Sequence, residues 1–576
     1  MKSSIFTSLR ATSAATTSPN VKKLSLAKMA CIVSVFCAAT AILSSAQTKF
    51  NSLLSFNGDN GANPQYVTLV QGTDGNLYGT TQVSTGTRGT VFNVTTGGTI
   101  TLTTLHTFCE GGDCSDGAEP LAGLVLATNG NFYGTTSSGG TNSLGTVFQI
   151  TSAGFTSLHS FDGTDGSEPE VAPVQASNGN LYGATTEGGT GGVGTIYQIT
   201  SAGAFNSLHS FDGTDGDYPD ASLIQGSSGN LYGTTYEASG GVSGTVYEMT
   251  TAGTFSTLAS FDPAEAAGSR GALIQASNGN FYGTDIGGGN GSGTVFEVTA
   301  AGTIKVLYTF CSKTDCADGA SPYGALIQAS DGNLYGTTAG GGTTKYCNGG
   351  CGTIFKITTA GALTTLYNFC SQANCADGSQ PEGGLVQHTN GSFYGTTLNS
   401  GTGPDAGTIY SLSVGLSPFV KTLTTSAQVG ATVIILGTNL TGATEVTFNG
   451  VSAKFTVVSS TEITAIVPAG ATSGVVTVVT PSGTLKTIVI FNVDATPQIK
   501  SFTPKKGPVG TTVTITGVNL TQTTNVTFDG IDATTFTVKS NTKLTAMVPE
   551  GAETGTIAIT TPAGTATSAA SFTVTE

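Results

Sequence analysis

Eight cysteines beyond residue 46 fall into four short-range pairs: Cys109/Cys114, Cys311/Cys316 and Cys370/Cys375 as CxxxxC, and Cys347/Cys351 as CxxxC. Thiols spaced this way either close small loops as disulfides or present soft ligands to zinc, which would require doublets on neighbouring units to converge. A second chemistry is carboxylate chemistry. An acidic turn recurs as SDGAEP (115–120), TDGSEP (164–169), TDGDYP (214–219), ADGAS (317–321) and ADGSQ (376–380), which sets Asp116, Asp165, Asp215, Asp318 and Asp377 at equivalent positions. Each Asp either caps its own turn through its side chain, with Gly allowing the bend, or joins an electronegative rim for cations or for a basic or hydroxyl-rich ligand.

One catalytic site cannot be made of equivalent positions, so catalysis needs residues that depart from the repeat. Glu187, Glu237, Asp285, Arg88 and Arg270 do so. Two spaced carboxylates could serve a glycosidase, and an Arg could clamp a carboxylate-bearing sugar. No spacing selects a pair, so no catalytic residue is assigned. The five aspartates with Glu187, Glu237 and Arg270 stand as candidate ligand-binding residues. His106, His159 and His209 precede a Ser or Thr and then Phe where other copies carry Tyr308, Tyr367 or Leu54, and His388 replaces a small residue before a turn. All four histidines read as structural. HExxH, GxSxG, phosphate-cradling and dinucleotide patterns are absent, and neither cofactor nor metal is expected.

These residues sit on a repeat. Tyr78, Tyr133, Tyr182, Tyr232, Tyr282, Tyr335 and Tyr394 mark seven copies of one hairpin, with steps of 55, 49, 50, 50, 53 and 59 residues. The three longest steps contain the cysteines, so each pair staples a lengthened loop. A period near 50 signals a repeat architecture. Each copy holds four short apolar segments; in the sixth they are GALIQA (324–329), NLYGTT (333–338), GTIFKIT (352–358) and ALTTLYNF (362–369). Asn-Gly and Asp-Gly turns join the first two, as a type I′ hairpin requires. Ile354, Phe355 and Ile357 place apolar groups on both faces of the third segment, so the sheet is covered on both sides. The pattern predicts a seven-bladed β-propeller over 47–416. FNSLLSF (50–56) reads as a fourth strand without a blade and GTIYSLS (407–413) as a third strand without a successor, so the two should pair and close the ring. Hairpin turns then share one nearly constant face. The variable loops share the other, where binding is expected.

The bulk composition narrows the function. Charged residues are 10% of the chain, Gly numbers 82, Trp is absent and Met numbers four, so no aromatic or Met-rich groove is advertised. Residues 1–46 hold five basic and no acidic residues, leaving 15 basic against 35 acidic beyond them, which repels phosphate backbones and argues against nucleic acid. Lys22, Lys23 and Lys28 before the apolar run 29–43, then Ser44-Ser45-Ala46, have the layout of a signal peptide (1–46) cleaved after Ala46, with an uncleaved anchor as the alternative. No second run could span a bilayer. Export to the cell surface or medium is the expectation, as a monomer.

Beyond Leu416 a second repeat begins. Residues 501–574 align with 422–493, both rich in alternating Val, Ile and Thr, which predicts two Ig-like sandwiches over 417–494 and 495–576. GATVIILGTNLTGATEVTFNGVSA and GTTVTITGVNLTQTTNVTFDGIDA, followed by VPAG and VPEG, resemble IPT/TIG domains. That resemblance implies an Ig-like module of bacterial surface proteins, found beside carbohydrate-active domains. NLYGTT, GGGT and GTIFKIT resemble the tandem-repeat family called GloVer, which implies a bacterial surface protein and no particular activity. The expected whole is a non-enzymatic surface protein that binds or adheres to a glycan or protein through the variable face, with the Ig-like domains as spacers. A polysaccharide-acting enzyme using carboxylates on that face and a purely structural envelope component are the alternatives.

Overall fold

The computed structural model describes residues 48–575 except 240–242, 263–267, 344–345, 348, 400–405, 495, 521–522 and 562–563. The expected leader, Ala46 included, lies outside the described residues. Among those described, no helix is long and apolar enough to cross a membrane.

Residues 49–413 build seven four-stranded antiparallel sheets. In the sixth the strands are Ile327–Gln328, Leu334–Thr338, Thr353–Ile357 and Leu363–Asn368. The inner strand is only two residues long, shorter than GALIQA suggests, because Gly324 and Ala325 run along the wall of a central cavity and do not pair. The second strand is buried at every residue and the third at all but Lys356, whereas in Leu363–Asn368 Thr364 is exposed and the rest are half-buried. Apolar groups on both faces of the middle strands are thus covered by neighbouring sheets, and the outer strand meets water.

Lys49–Ser55 pairs antiparallel with Thr408–Ser413, from Lys49↔Ser413 to Ser55↔Thr408, and completes the sheet of Val386–Gln387 and Phe393–Thr397. Phe50 fastens this latch, stacking on Tyr367 with ring centroids 3.8 Å apart. A second seam lies at the hairpin face. Gln175, Gln225, Gln275 and Gln328 each accept a backbone N–H from the preceding sheet's turn, at Thr128, Ser177, Ser227 and Ser277. The series closes when Gln71 of the first sheet accepts from Thr389 N of the last at 3.1 Å. His388 works beside it: Nε2 donates to Gly75 O at 2.9 Å and joins the last sheet to the first, while Nδ1 accepts from Asn390 N at 3.1 Å within its own turn. Around the cavity Thr80, Thr135, Thr284 and Thr337 donate to carbonyls of Ala122, Val171, Gly324 and Gly383 in the next sheet. Thr396 closes that series on Val67 O. A Cβ on Gly383 would collide with the Val67 carbonyl, so the seam needs glycine there.

Two β-sandwiches follow, each with its own core: Val433, Ile435, Phe448 and Val478 in the first, Val513, Ile515, Phe528 and Ile559 in the second. They differ at the edge. The second runs unbroken through Gly564–Val574, whereas the corresponding stretch of the first is split into Gly483–Lys486 and Asn492–Asp494, with Val489 and Ile490 exposed between. The first sandwich packs on the hairpin face, where Leu436 joins propeller side chains and Thr461 Oγ1 donates to Thr73 O at 2.7 Å.

Candidate functional site

The five repeated aspartates are spent on their own loops. Asp116, Asp165 and Asp215 accept from Nε2 of His106, His159 and His209 at 2.8, 2.7 and 2.7 Å. Their second oxygens accept backbone N–H groups of Cys109, Asp162 and Asp212. Where the strand carries Tyr instead of His, the phenol takes over: Tyr308 and Tyr367 donate to Asp318 and Asp377, both at 2.7 Å. Those two carboxylates also accept from Ser312 and Lys313 and from Ser371 and Gln372. These contacts are those of the turn-capping alternative, in which each Asp is engaged by its own loop. Burial lowers the basicity of His106, against the pull of Asp116.

The other candidates separate. Asp285, fully buried, accepts from the backbone of Gly287 and Gly288 and from Thr294 Oγ1. Arg88 pairs with Glu119 at the surface, at 2.5 Å. Glu187 and Glu237 are exposed and pair through their backbones with Ser167 and Asp217. The four cysteine pairs are the disulfides Cys109–Cys114, Cys311–Cys316, Cys347–Cys351 and Cys370–Cys375. The last two bridges touch, with Cys347 Sγ 3.7 Å from Cys370 Sγ, so the convergence that zinc would need exists at one corner.

Arg270 alone leads to a site. It lines a cavity of about 280 Å³ on the axis, walled by the segments that lead into the inner strands of all seven sheets, with Tyr66, Glu170, Asp220, Tyr323 and Glu382 among the lining residues. Sequence reasoning missed these five. The local cause is a shared turn: Asn63, Glu119, Glu168, Tyr218, Ser321 and Gln380 have φ between 53° and 59°, each is followed by Pro, and the next residues run along the cavity wall. The residue after that Pro is Gln65, Leu121, Glu170, Asp220, Tyr323 and Glu382, with Arg270 following Ser269 in the remaining copy. No two neighbouring copies agree, and this departure from the repeat was the available signal; the acidic turn beside it masked it.

Arg270 Nη2 lies 3.4 Å from Asp220 Oδ2, Nη1 lies 3.5 Å from the Tyr66 hydroxyl, and the guanidinium sits 5.0 Å from the Tyr236 ring centroid. The rings of Tyr66 and Tyr323 are 5.8 Å apart. Burial, then Asp220, pushes Glu170 up to about 7. Burial pushes Asp220 up to about 6 against the pull of Arg270, and Glu382 to about 7. Burial also raises Tyr66 to about 12. Asp220 Oδ1, Glu382 Oε2 and Arg270 Nε are buried without a hydrogen-bond partner. Such atoms are costly unless something in the cavity pairs them. The cavity therefore offers both donors and acceptors beside aromatic faces, which is a recognition surface for a small polar group.

Comparison with known proteins supplies family and fold. The IPT/TIG domain family matches residues 497–574 only. Two such domains were expected, and the match corrects this to one: 417–494 is a sandwich without that match, with its last strand split. No curated protein matches the chain. Among solved structures, SGBP-B from a complex xyloglucan utilization locus in Bacteroides uniformis is 29% identical over 27% of this chain and 48% of its own, with a TM-score of 0.16. The surface glycan-binding protein PbSGBP-B from Prevotella bryantii is 20% identical over 27% of this chain and 39% of its own, at 0.18. A fungal alcohol oxidase of the AA5 family, in complex with copper, is 13% identical over 77% of this chain and 99% of its own, at 0.42. The chain spans less than half the length of SGBP-B and of PbSGBP-B, and none of these likenesses bears on its function. The family described as the Gloeobacter/Verrucomicrobia repeat matches residues 41–176, 155–342 and 224–458, and the chain belongs to it.

Proposed function

We propose that the protein is exported and binds a hydroxyl-rich ligand, the end or side group of a glycan, in the cavity on the propeller axis. One observation carries the reading: the single inner-wall position that differs from copy to copy brings Arg270, Asp220, Glu170, Glu382 and Tyr323 around one cavity, with Tyr66 one residue beyond that position in the first copy. A wall needed only for folding would repeat like the rest of each sheet. Unpaired buried donors and acceptors at Arg270, Asp220 and Glu382 match alternating hydroxyls, and tyrosine faces suit the apolar face of a sugar ring. Disulfide-stapled loops around the disc suit an oxidising compartment. The sandwiches carry the propeller as spacers, and the reading needs no catalysis.

A hydrolytic reading of the same cavity is favoured by Glu170 and Glu382, which are held at about 7 where a general acid works best. The test is a glycan array followed by calorimetry on the hits, with reducing-end release measured on the same oligosaccharides. Binding without turnover, lost in Arg270→Ala, is expected. Turnover abolished by Glu170→Gln or Glu382→Gln would replace the binding reading, and Arg270→Ala binding as tightly as the parent would remove the cavity from it.

A further inference from the structure

The charges around the cavity do not balance. Three carboxyl groups face it, at Glu170, Asp220 and Glu382, and Arg270 is the one cation among its lining residues. Arg270 makes its ion pair with Asp220, whose side chain is 6% exposed and whose Oδ1 still accepts no hydrogen bond. Among the described residues no ion pair reaches Glu170 or Glu382. The groups that act on Glu170 are Asp220, Arg270, Glu168 and Glu187; on Glu382, Arg270 and the Gln65 side chain. Glu237 adds to Asp220, and Tyr66, Tyr236 and Tyr323 complete the set. A half-buried carboxylate without a counter-charge binds its proton more tightly, as Glu170 and Glu382 do. Counted as ionised, the three carboxyls outnumber Arg270 by two, and no other lining residue supplies a positive charge.

Resting on the glycan reading above, we propose that the ligand enters this cavity through a protonated amino group, the chemistry of an amino sugar, set against Glu170 and Glu382 with Tyr66 and Tyr323 beside it. An ammonium group donates charge-assisted hydrogen bonds to carboxylates and is attracted to tyrosine faces. An acidic sugar is disfavoured, because Arg270 is engaged by Asp220 and two further carboxyls oppose a negative group. An uncharged sugar leaves the imbalance in place.

Calorimetry on the chain from residue 47 onward, with glucosamine oligosaccharides, their N-acetylated counterparts, uncharged glucose oligosaccharides and a lysine-containing peptide, tests this at pH 6, 7 and 8. The expected result is affinity for the glucosamine oligomer about tenfold above its acetylated counterpart, rising from pH 6 to 7 as the carboxyls ionise, and reduced about tenfold in Glu170→Gln and in Glu382→Gln. Melting curves of both isosteric variants check that they fold. Acetylated or uncharged oligomers binding as well as the amine would overturn the ammonium and keep the glycan reading. A lysine peptide binding more tightly than any sugar would place the ammonium on protein and overturn the amino sugar. No binding by any sugar would remove the glycan reading itself.

Discussion

His159 Nε2 donates to Asp165 Oδ2 at 2.7 Å, while Asp165 Oδ1 accepts the backbone N–H of Asp162 at 2.9 Å. Two residue types that suggest catalysis are thereby consumed in shaping one loop. The same contacts recur at His106–Asp116 and His209–Asp215, which a unique site could not require.

Replacing Asp165 by Ala should therefore cost stability and leave ligand binding alone. It removes the acceptor of the half-buried His159 ring and of the exposed Asp162 N–H, at a cost of about 1 kcal/mol. Asp318→Ala, which strands Tyr308, Ser312 and Lys313, should behave alike. Chemical denaturation measures the loss, and unchanged calorimetry on any bound oligosaccharide checks the second half.

Closure by the first strand predicts that Phe50→Ala acts far from its place in the chain. Phe50 stacks on Tyr367 and lies 5.4 Å from Tyr410, ring centre to ring centre. Its loss should destabilise the propeller by about 3 kcal/mol, with faster hydrogen exchange in 408–413. Exchange unchanged there would contradict the latch.

The cavity carboxyls predict a pH dependence of stability. Glu170 and Glu382 hold protons up to about 7 when folded against an ordinary value of 4.5, so the folded chain binds more protons between those pH values. Their contribution is complete below pH 4.5, falls as pH rises towards 7, and is lost above it. The difference in stability between the parent and the Glu170→Gln/Glu382→Gln variant should shift by on the order of 1–2 kcal/mol from pH 5 to pH 8, the parent losing ground. Parallel curves would show that these groups do not titrate as described.

Intact-mass spectrometry without reduction should find the eight cysteines 109, 114, 311, 316, 347, 351, 370 and 375 without thiol protons. Bound zinc would instead select the touching corner, where Cys347, Cys351 and Cys370 place their sulfurs within 4.8 Å of one another.

Much of the architecture was legible in the residues. The tyrosine period, the Asn-Gly turns and the two-faced GTIFKIT strand each express a local requirement written in adjacent positions, and the sheets follow. FNSLLSF matched a fourth strand because an unpaired edge needs a partner, and it found one 360 residues away. The candidate site was read less well. Asp116, Asp165, Asp215, Asp318 and Asp377 drew attention because they recur, and recurrence marks folding; of the unlike residues, only Arg270 was singled out.

By itself, then, the sequence determined the strands, the number of repeats, the closing latch and the pairing of cysteines five or fewer positions apart, since all depend on short-range pattern or on repetition. Only the tertiary structure decided which side chains meet. Tyr66, Glu170, Asp220, Arg270, Tyr323 and Glu382 are spread over more than 300 residues and share no pattern along the chain. They face one cavity because the sheets close around an axis, and burial there raises carboxyls that in the unfolded chain would be fully solvated.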